Sequence, residues 1–398
     1  MGEHGKELAI YIHLPFCVRK CLYCDFISGP YSDEVKRSYV NKLLWEIDSF
    51  FDEYKGEKLE IPSIFFGGGT PSILPPKEID RILCKLKEHA DFIEPEITIE
   101  VNPGTVDTSD NLRIAEVDSK ENNETDLFIK YREIGINRIS IGLQSTFDEE
   151  LKTLGRIHTY EQFLNTLDSA KAAGFTNISA DVMYAVPGQN YKSFERTLRK
   201  VADLGLNHIS AYSLIVEEGT PFYEMELDLP SEEEERRMYR GVSRILSEYG
   251  FAQYEISNYA KPGYECRHNI AYWTGKEYVG FGIAAASLIE NLRFTNTKSM
   301  DDYLSVKDYE ALKKLRTDVE NLSREDCMSE AVILGLRMNK GVSDGDFYNK
   351  FGQHLSDVYP KEILKHKLEG LLKEAEDGSI SLTAKGRDLS NYVMADFI

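Results

Sequence analysis

The chain reads as an α/β protein: a partial (β/α)6 barrel followed by a mainly helical, winged-helix-like C-terminal domain. Three observations carry this expectation. Short runs rich in Ile, Val, Phe and Tyr recur between residues 8 and 216. Amphipathic stretches separate them, and three of these end at Gly135, Gly174 and Gly205, in keeping with left-handed helix stops. After residue 300 the rhythm gives way to helix-like segments and a short strand pair. Near-continuous apolar strands alternating with helices indicate parallel β/α units covered on both faces, with a doubly wound sheet as the rival.

Taken in order, strands are expected at 8–14, 63–68, 96–102, 137–143, 177–185 and 208–216. Helices are expected at 33–54, 76–89, 127–134, 160–173 and 191–205. The polar stretch 108–126 reads as a surface insertion. Over 229–250, Ser231 precedes four glutamates and then an amphipathic run. That is the pattern of a capped helix whose solvated acidic first turn suits its dipole. Segments 323–338, 343–352 and 360–378 read as three helices, and the strand pair follows. The expected division is 1–228 for the barrel, 229–300 for an extension that closes it, and 301–398 for the C-terminal domain.

The 398 residues carry 67 acidic and 47 basic side chains, a formal charge of −20. Broad binding to a phosphate backbone is excluded on that balance, so the winged-helix-like tail reads as a packing or docking unit, with no nucleic acid partner. Six cysteines are too few and too uneven for a disulfide scaffold. Their clustering implies reduced thiols and a cytoplasmic location. The N-terminal apolar run is broken by His13 and Pro15, unlike a secretory signal. No transmembrane segment is expected, since no apolar stretch reaches the ~18 residues a span needs.

Directly after the first strand, Cys17, Cys21 and Cys24 are spaced C-x3-C-x2-C. A structural zinc site would want a fourth ligand, and only His13 is near in sequence. Free thiols are another reading. An iron-sulfur cube is favoured, because three thiolates hold three irons and leave the fourth open to a non-protein ligand. The loop at the C-terminal end of a strand is where barrel sites sit.

With Tyr23 before its last cysteine, this motif resembles the signature of radical S-adenosylmethionine (SAM) enzymes. Further segments resemble one subgroup, the oxygen-independent coproporphyrinogen III oxidases and their heme-chaperone relatives. The likeness runs from Tyr11 to the tail. It implies a 4Fe-4S cluster on Cys17, Cys21 and Cys24, with SAM chelating the open iron through its amino and carboxylate groups. It also implies SAM contacts from Tyr11, Tyr23, Gly68, Gly69, Thr70, Glu100, Gln144, Arg156 and Asp181. Beside the likeness, the "GGGT" run offers a close backbone approach and N–H donors. Taken singly, each polar residue would more often be a satisfied group near a core. Together they fall near the same end of successive strands.

The stretch "ECRHNIAYWTGKEYVGFGIAAAS" (265–287) carries an H-N-x-x-Y-W motif. Its bland reading is a buried aromatic corner with His268 hydrogen-bonded. The motif resembles the heme-chaperone branch, which implies heme contact from His268, Asn269, Tyr272 and Trp273. Cys266 is a second candidate ligand. Phe26 stands where the oxidase branch has a further cysteine. One departure is clear: chaperone relatives read G-P-G-A-H-S where this chain has Ile283, Ala284 and Ala286 in "GIAAAS". The resemblance implies a protein that binds heme and hands it to acceptor hemoproteins, served by a reduced electron donor. The alternative is an oxidase or other radical SAM enzyme acting on a tetrapyrrole, in which the reduced cluster cleaves SAM to a carbon radical.

Overall fold

The computed structural model describes residues 5–105 and 124–398, so most of the insertion expected at 108–126 lies outside the described residues. In chain order, the first half forms β1 (Lys6–Glu7), β2 (Ala9–Leu14), α1 (Asp33–Glu53), β3 (Leu59–Gly68), α2 (Pro76–His89), β4 (Asp91–Val101) and α3 (Glu124–Ile134). It continues with β5 (Arg138–Gln144), α4 (Asp148–Thr153), α5 (Tyr160–Ala172), β6 (Asn177–Tyr184), α6 (Tyr191–Ala202) and β7 (His208–Ser213). Strands β2 to β7 pair in sequence order and all in parallel, with β1 pairing on β3. This is the expected partial (β/α)6 barrel; a doubly wound sheet would reverse its strand order. Strands β3 and β4 begin earlier than their apolar runs. Glu60 pairs with Asp91 and Ile61 with Phe92, and the register shifts before Ser63, where Pro62 cannot donate to the ladder.

Within each strand the two faces differ. Ile97, Ile99 and Val101 are buried in the main core with Ile139, Ile141, Ile178, Val182 and Ile209. The residues between them, Thr98, Glu100, Ser140, Ser179, Asp181 and His208, are polar. They lie in register across the sheet: Thr98 opposite Arg138, Glu100 opposite Ser140, Ser140 opposite Ser179, and Asp181 opposite Ser210. Since the side-chain period of a strand is two, one face packs under the helices and the other lines a polar lumen.

Next come α7 (Glu232–Ser247), β8 (Ala252–Gln253), β9 (Asn258–Ala260), α8 (Arg267–Trp273), β10 (Tyr278–Phe281), β11 (Ala286–Ile289), β12 (Leu292–Thr295), α9 (Met300–Ser305), α10 (Tyr309–Lys313) and β13 (Thr317–Asn321). Ser231 caps α7 as expected, its Oγ accepting from the Glu234 N–H at 3.3 Å. The extension does not close the barrel. β10 joins β2 in parallel and leads on through β11, β12 and β13, while β9 and β8 lengthen the sheet beyond β7. The outcome is an open sheet of 13 strands among the described residues.

The tail folds as α11 (Arg324–Arg337), α12 (Asp344–Phe351), α13 (Leu355–Val358), α14 (Pro360–Leu368), β14 (Leu372–Glu374), β15 (Ile380–Leu382), α15 (Ala384–Asp388) and α16 (Ser390–Ala395). Helices followed by the β14–β15 hairpin give the expected winged-helix-like order. The helix expected over 360–378 stops at Leu368, because Gly370 takes φ +71° and turns the chain so that Leu371 and Leu372 enter a core with Val332, Leu336 and Phe347. This second core docks on the barrel through the Arg337 guanidinium, 4.3 Å from the Trp273 ring, and an Arg240–Asp388 ion pair at 2.6 Å. No described helix is long and apolar enough to cross a membrane.

Candidate functional site

The loop after β2 holds Cys17, Cys21 and Cys24, all free and partly exposed. Backbone bonds fix its course: Cys17 N–H to Gly29 O at 2.9 Å, Leu22 N–H to Leu154 O at 3.1 Å, and Phe222 N–H to Leu22 O at 3.0 Å. Leu22 and Tyr23 pack among Leu154, Met183, Leu214 and Phe222. His13 braces the loop from below. Its Nε2 donates to the Ile27 carbonyl at 2.9 Å, which leaves Nδ1 to accept from Tyr11 Oη at 3.0 Å.

The Gly-rich turn ending β3 meets this loop backbone to backbone. A side chain on Gly69 would lie 2.6 Å from the Phe16 carbonyl, and one on Gly68 would strike the His13 ring at 2.4 Å. Glycine at these places is required by close approach. The expected N–H donors are not free, however. Gly69 N–H bonds Leu14 O at 2.9 Å, Thr70 N–H bonds Phe16 O at 2.7 Å, and Gly68 N–H bonds Glu100 Oε2 at 3.2 Å. The turn's amides are thus spent within the chain, where a donor role toward a ligand was expected. What remains among the described residues is the Gly68 and Gly69 carbonyls, since Thr70 O accepts from the Ile73 N–H and Thr70 Oγ1 from Asn102 Nδ2.

Around the loop stand the other expected residues. Arg156 donates from Nη2 to Asn102 Oδ1 at 2.7 Å and Gly142 O at 2.5 Å, and from Nη1 to Cys21 Sγ at 3.6 Å, while its buried Nε has no partner. Gln144 ends β5 at φ +73°, a strained conformation for a residue with a Cβ, and accepts from Tyr212 Oη at 2.9 Å. Asp181 is held by Ser140 Oγ at 3.2 and 3.3 Å. Burial, with the Asp181 charge nearby, pushes Glu100 up to about 8. Two carboxylates in one lumen suit a cationic ligand. A small pocket beside the loop is lined by Val18, Arg19, Thr70, Asn102, Arg156 and Ile157 among others. Asn102, Ser140 and Tyr212 were missed by the sequence reading; the period-two alternation in "EITIEVN" was the signal that could have found Asn102.

The donor set suits a cluster: three free thiols on one loop can each hold one iron. Among the described residues these sulfurs do not all lie within 4.8 Å of one another, whereas a zinc with 2.3 Å bonds would hold them about 3.8 Å apart. Each has one donor nearby: Thr70 Oγ1 at 3.6 Å from Cys17, Arg156 Nη1 by Cys21, and the Phe26 N–H by Cys24.

The H-N-x-x-Y-W residues form α8, at the other end of the barrel. Glu96, early in β4, caps this helix: its carboxylate accepts from Arg267 N–H at 3.1 Å, His268 N–H at 3.2 Å and Cys266 Sγ at 3.4 Å. The His268 ring stacks on Phe65 and is 1% exposed. Its Nδ1 lies 3.0 Å from Ser63 Oγ and its Nε2 3.0 Å from Tyr272 Oη. Burial lowers this imidazole to about 3. Both ring nitrogens are thus bonded within the chain, the arrangement of the buried aromatic corner that stands as the alternative to heme contact. Cys266 is likewise buried, its thiol pushed up to about 12. Trp273 lies against Arg337. Of Asn269 the structure gives no ligand-facing role. Nor do the motif and "GIAAAS" share a pocket. They flank β10, whose Phe281 pairs with Ile12, so the 282–287 turn falls at the cysteine end. There Gly282 N–H bonds Glu46 and Ile283 N–H bonds Tyr39 Oη.

Comparison with known proteins agrees with this architecture. The Radical SAM superfamily profile matches residues 11–201, and that of the HemN C-terminal domain matches 322–389. A heme chaperone HemW of Lactococcus lactis is 34% identical over 99% of this chain and 98% of its own. The Bacillus subtilis protein of the same name is 32% identical, covering 98% of each. The solved structure of Escherichia coli coproporphyrinogen III oxidase (HemN) superposes with a TM-score of 0.81 over 99% of this chain and 90% of that one, at 24% identity, which speaks to the fold. On this evidence of sequence, length and fold, the chain belongs to the HemW heme-chaperone family of the Radical SAM superfamily.

Proposed function

We propose that this chain binds heme and passes it to acceptor hemoproteins, holding a SAM-ligated 4Fe-4S cluster on Cys17, Cys21 and Cys24. Superfamily membership implies the cluster and SAM; the residue assignments are our own. When bound, the cluster supplies a low-potential electron from an outside donor. The observation that carries the reading is the convergence of three free thiols on one loop, the Gly68–Thr70 turn and the Glu100–Asp181 pair at one end of the lumen. SAM's ammonium is a donor, so the turn's carbonyls suit it, and its sulfonium suits the paired carboxylates. Tyr11, Tyr23, Gln144 and Arg156 complete the wall, and the unpartnered Arg156 Nε–H suits SAM's carboxylate.

For the heme we favour the barrel mouth over α8. Val18, Phe26, Ile157, Ile215, Tyr223 and Met225 are all exposed on loops at the cysteine end. Exposed apolar groups gathered this way mark a binding surface, and a thioether such as that of Met225 is a known iron ligand type. The test is anaerobic reconstitution with SAM, reductant, heme and coproporphyrinogen III. Heme bound near one per chain, and lost in Met225→Ala or Phe26→Asp, supports the mouth. Loss of heme in a folded His268→Ala chain returns the site to α8. Turnover to protoporphyrinogen overturns the chaperone reading in favour of the oxidase.

A further inference from the structure

We infer that Asn102 is a positioning residue for the cluster, holding the Thr70 hydroxyl and the Arg156 guanidinium so that each aims a hydrogen at a cysteine sulfur. The inference rests on the cluster reading above. The direction of every bond follows from donor chemistry. A guanidinium only donates, so the Asn102 atom 2.7 Å from Arg156 Nη2 is the amide oxygen. The amide nitrogen then faces Thr70 Oγ1 at 2.6 Å and donates to it. Thr70 Oγ1 is thereby an acceptor in that bond, and its own hydrogen is free for Cys17 Sγ at 3.6 Å. Arg156 meanwhile reaches Cys21 Sγ from Nη1. One amide thus polarises donors toward two of the three thiolates. Asn102 itself follows the last residue of β4, at the strand end facing the cysteine loop, and its carbonyl is tied by the Thr105 hydroxyl at 2.6 Å.

Hydrogen bonds to cluster sulfurs favour the reduced, more negative state and raise the reduction potential. Losing the Thr70 hydrogen lowers that potential, and so does letting it turn away. The experiment is an EPR-monitored redox titration of the reconstituted cluster without SAM, with iron and sulfide counted for each variant. Thr70→Val, which removes the hydroxyl at nearly constant shape, is expected to shift the midpoint negative, while Thr70→Ser keeps it near the parent value. Asn102→Ala is expected to shift it negative too, and the Thr70→Val/Asn102→Ala double variant no further than the larger single shift. Intact clusters with unmoved midpoints, or shifts that simply add, overturn the inference. Should Asn102→Ala fail to hold a cluster, the Val–Ser contrast at Thr70 decides alone. Parent protein without iron and sulfide would instead sink the cluster reading itself.

Discussion

At the scale of single residues, backbone angles and proton affinities make the sharpest predictions. Ala284 sits at φ +57°, in the region where a Cβ costs about 1–2 kcal/mol. Ala284→Gly should therefore raise unfolding stability by about 1 kcal/mol, read as a higher midpoint in urea. The departure "GIAAAS" thus has a physical cost at Ala284, whatever ligand the turn faces. Glu100 is a different case. Burial and then Asp181 push it up to about 8, above the 4.5 of an ordinary glutamate. The folded chain keeps this proton where the unfolded chain has lost it. Its contribution to stability is therefore full below pH 4.5 and is lost as pH rises through about 8. Glu100→Gln should flatten that fall, seen by comparing denaturation midpoints on either side of the window. A cationic ligand favours the ionised form, so SAM should bind the parent more tightly as pH rises through the same range, and the Gln variant should lose that dependence.

Among elements, α8 depends on a carboxylate from another part of the chain. Glu96 meets two backbone N–H groups and a thiol at the helix start, those of His268 and Cys266 buried. Glu96→Ala leaves those donors unpaired and should cost about 1–3 kcal/mol in chemical denaturation. Because α8 lies at the floor and the cysteines at the mouth, SAM affinity of the folded fraction should be unchanged. A parallel loss of SAM binding would contradict the separation of the two ends. The same element shows why the aromatic motif supports two readings when taken in isolation. An imidazole flanked by tyrosine and tryptophan matches a heme pocket in composition, and a helix plug in geometry.

Across the whole molecule, the two cores meet along several elements. The Trp273–Arg337 stack joins α8 to α11, Asp388 pairs with Arg240 of α7, Asn339 bonds the Tyr254 and Gln253 carbonyls, and Arg293 pairs with Glu330. Trp273→Ala removes one of these joints, so calorimetry should still show one transition, at a lower midpoint. Two separate transitions would show that the Trp273–Arg337 stack alone carries the coupling.

Much of this was legible in the chain itself. The six strands, their helices and the Ser231 cap follow from periodicity and local capping chemistry, which act within a few residues. The three cysteines and the Phe26 position likewise needed only spacing. The polar lumen was half legible: "EITIEVN" alternates, but apolar content alone made it look like a strand buried on both faces. What tertiary structure alone decided is which end of the barrel each motif occupies. Residues 268–273 and 282–287 are close in sequence, yet a four-residue strand carries the chain from the floor to the mouth between them. It likewise decided that the Gly68–Thr70 amides are consumed by the cysteine loop, and that β10 extends the sheet beside β2 rather than closing it. Hydrophobic pattern records how deeply a residue is buried; it carries no record of the side from which its partner arrives, and partners here come from strands and loops more than 50 residues away.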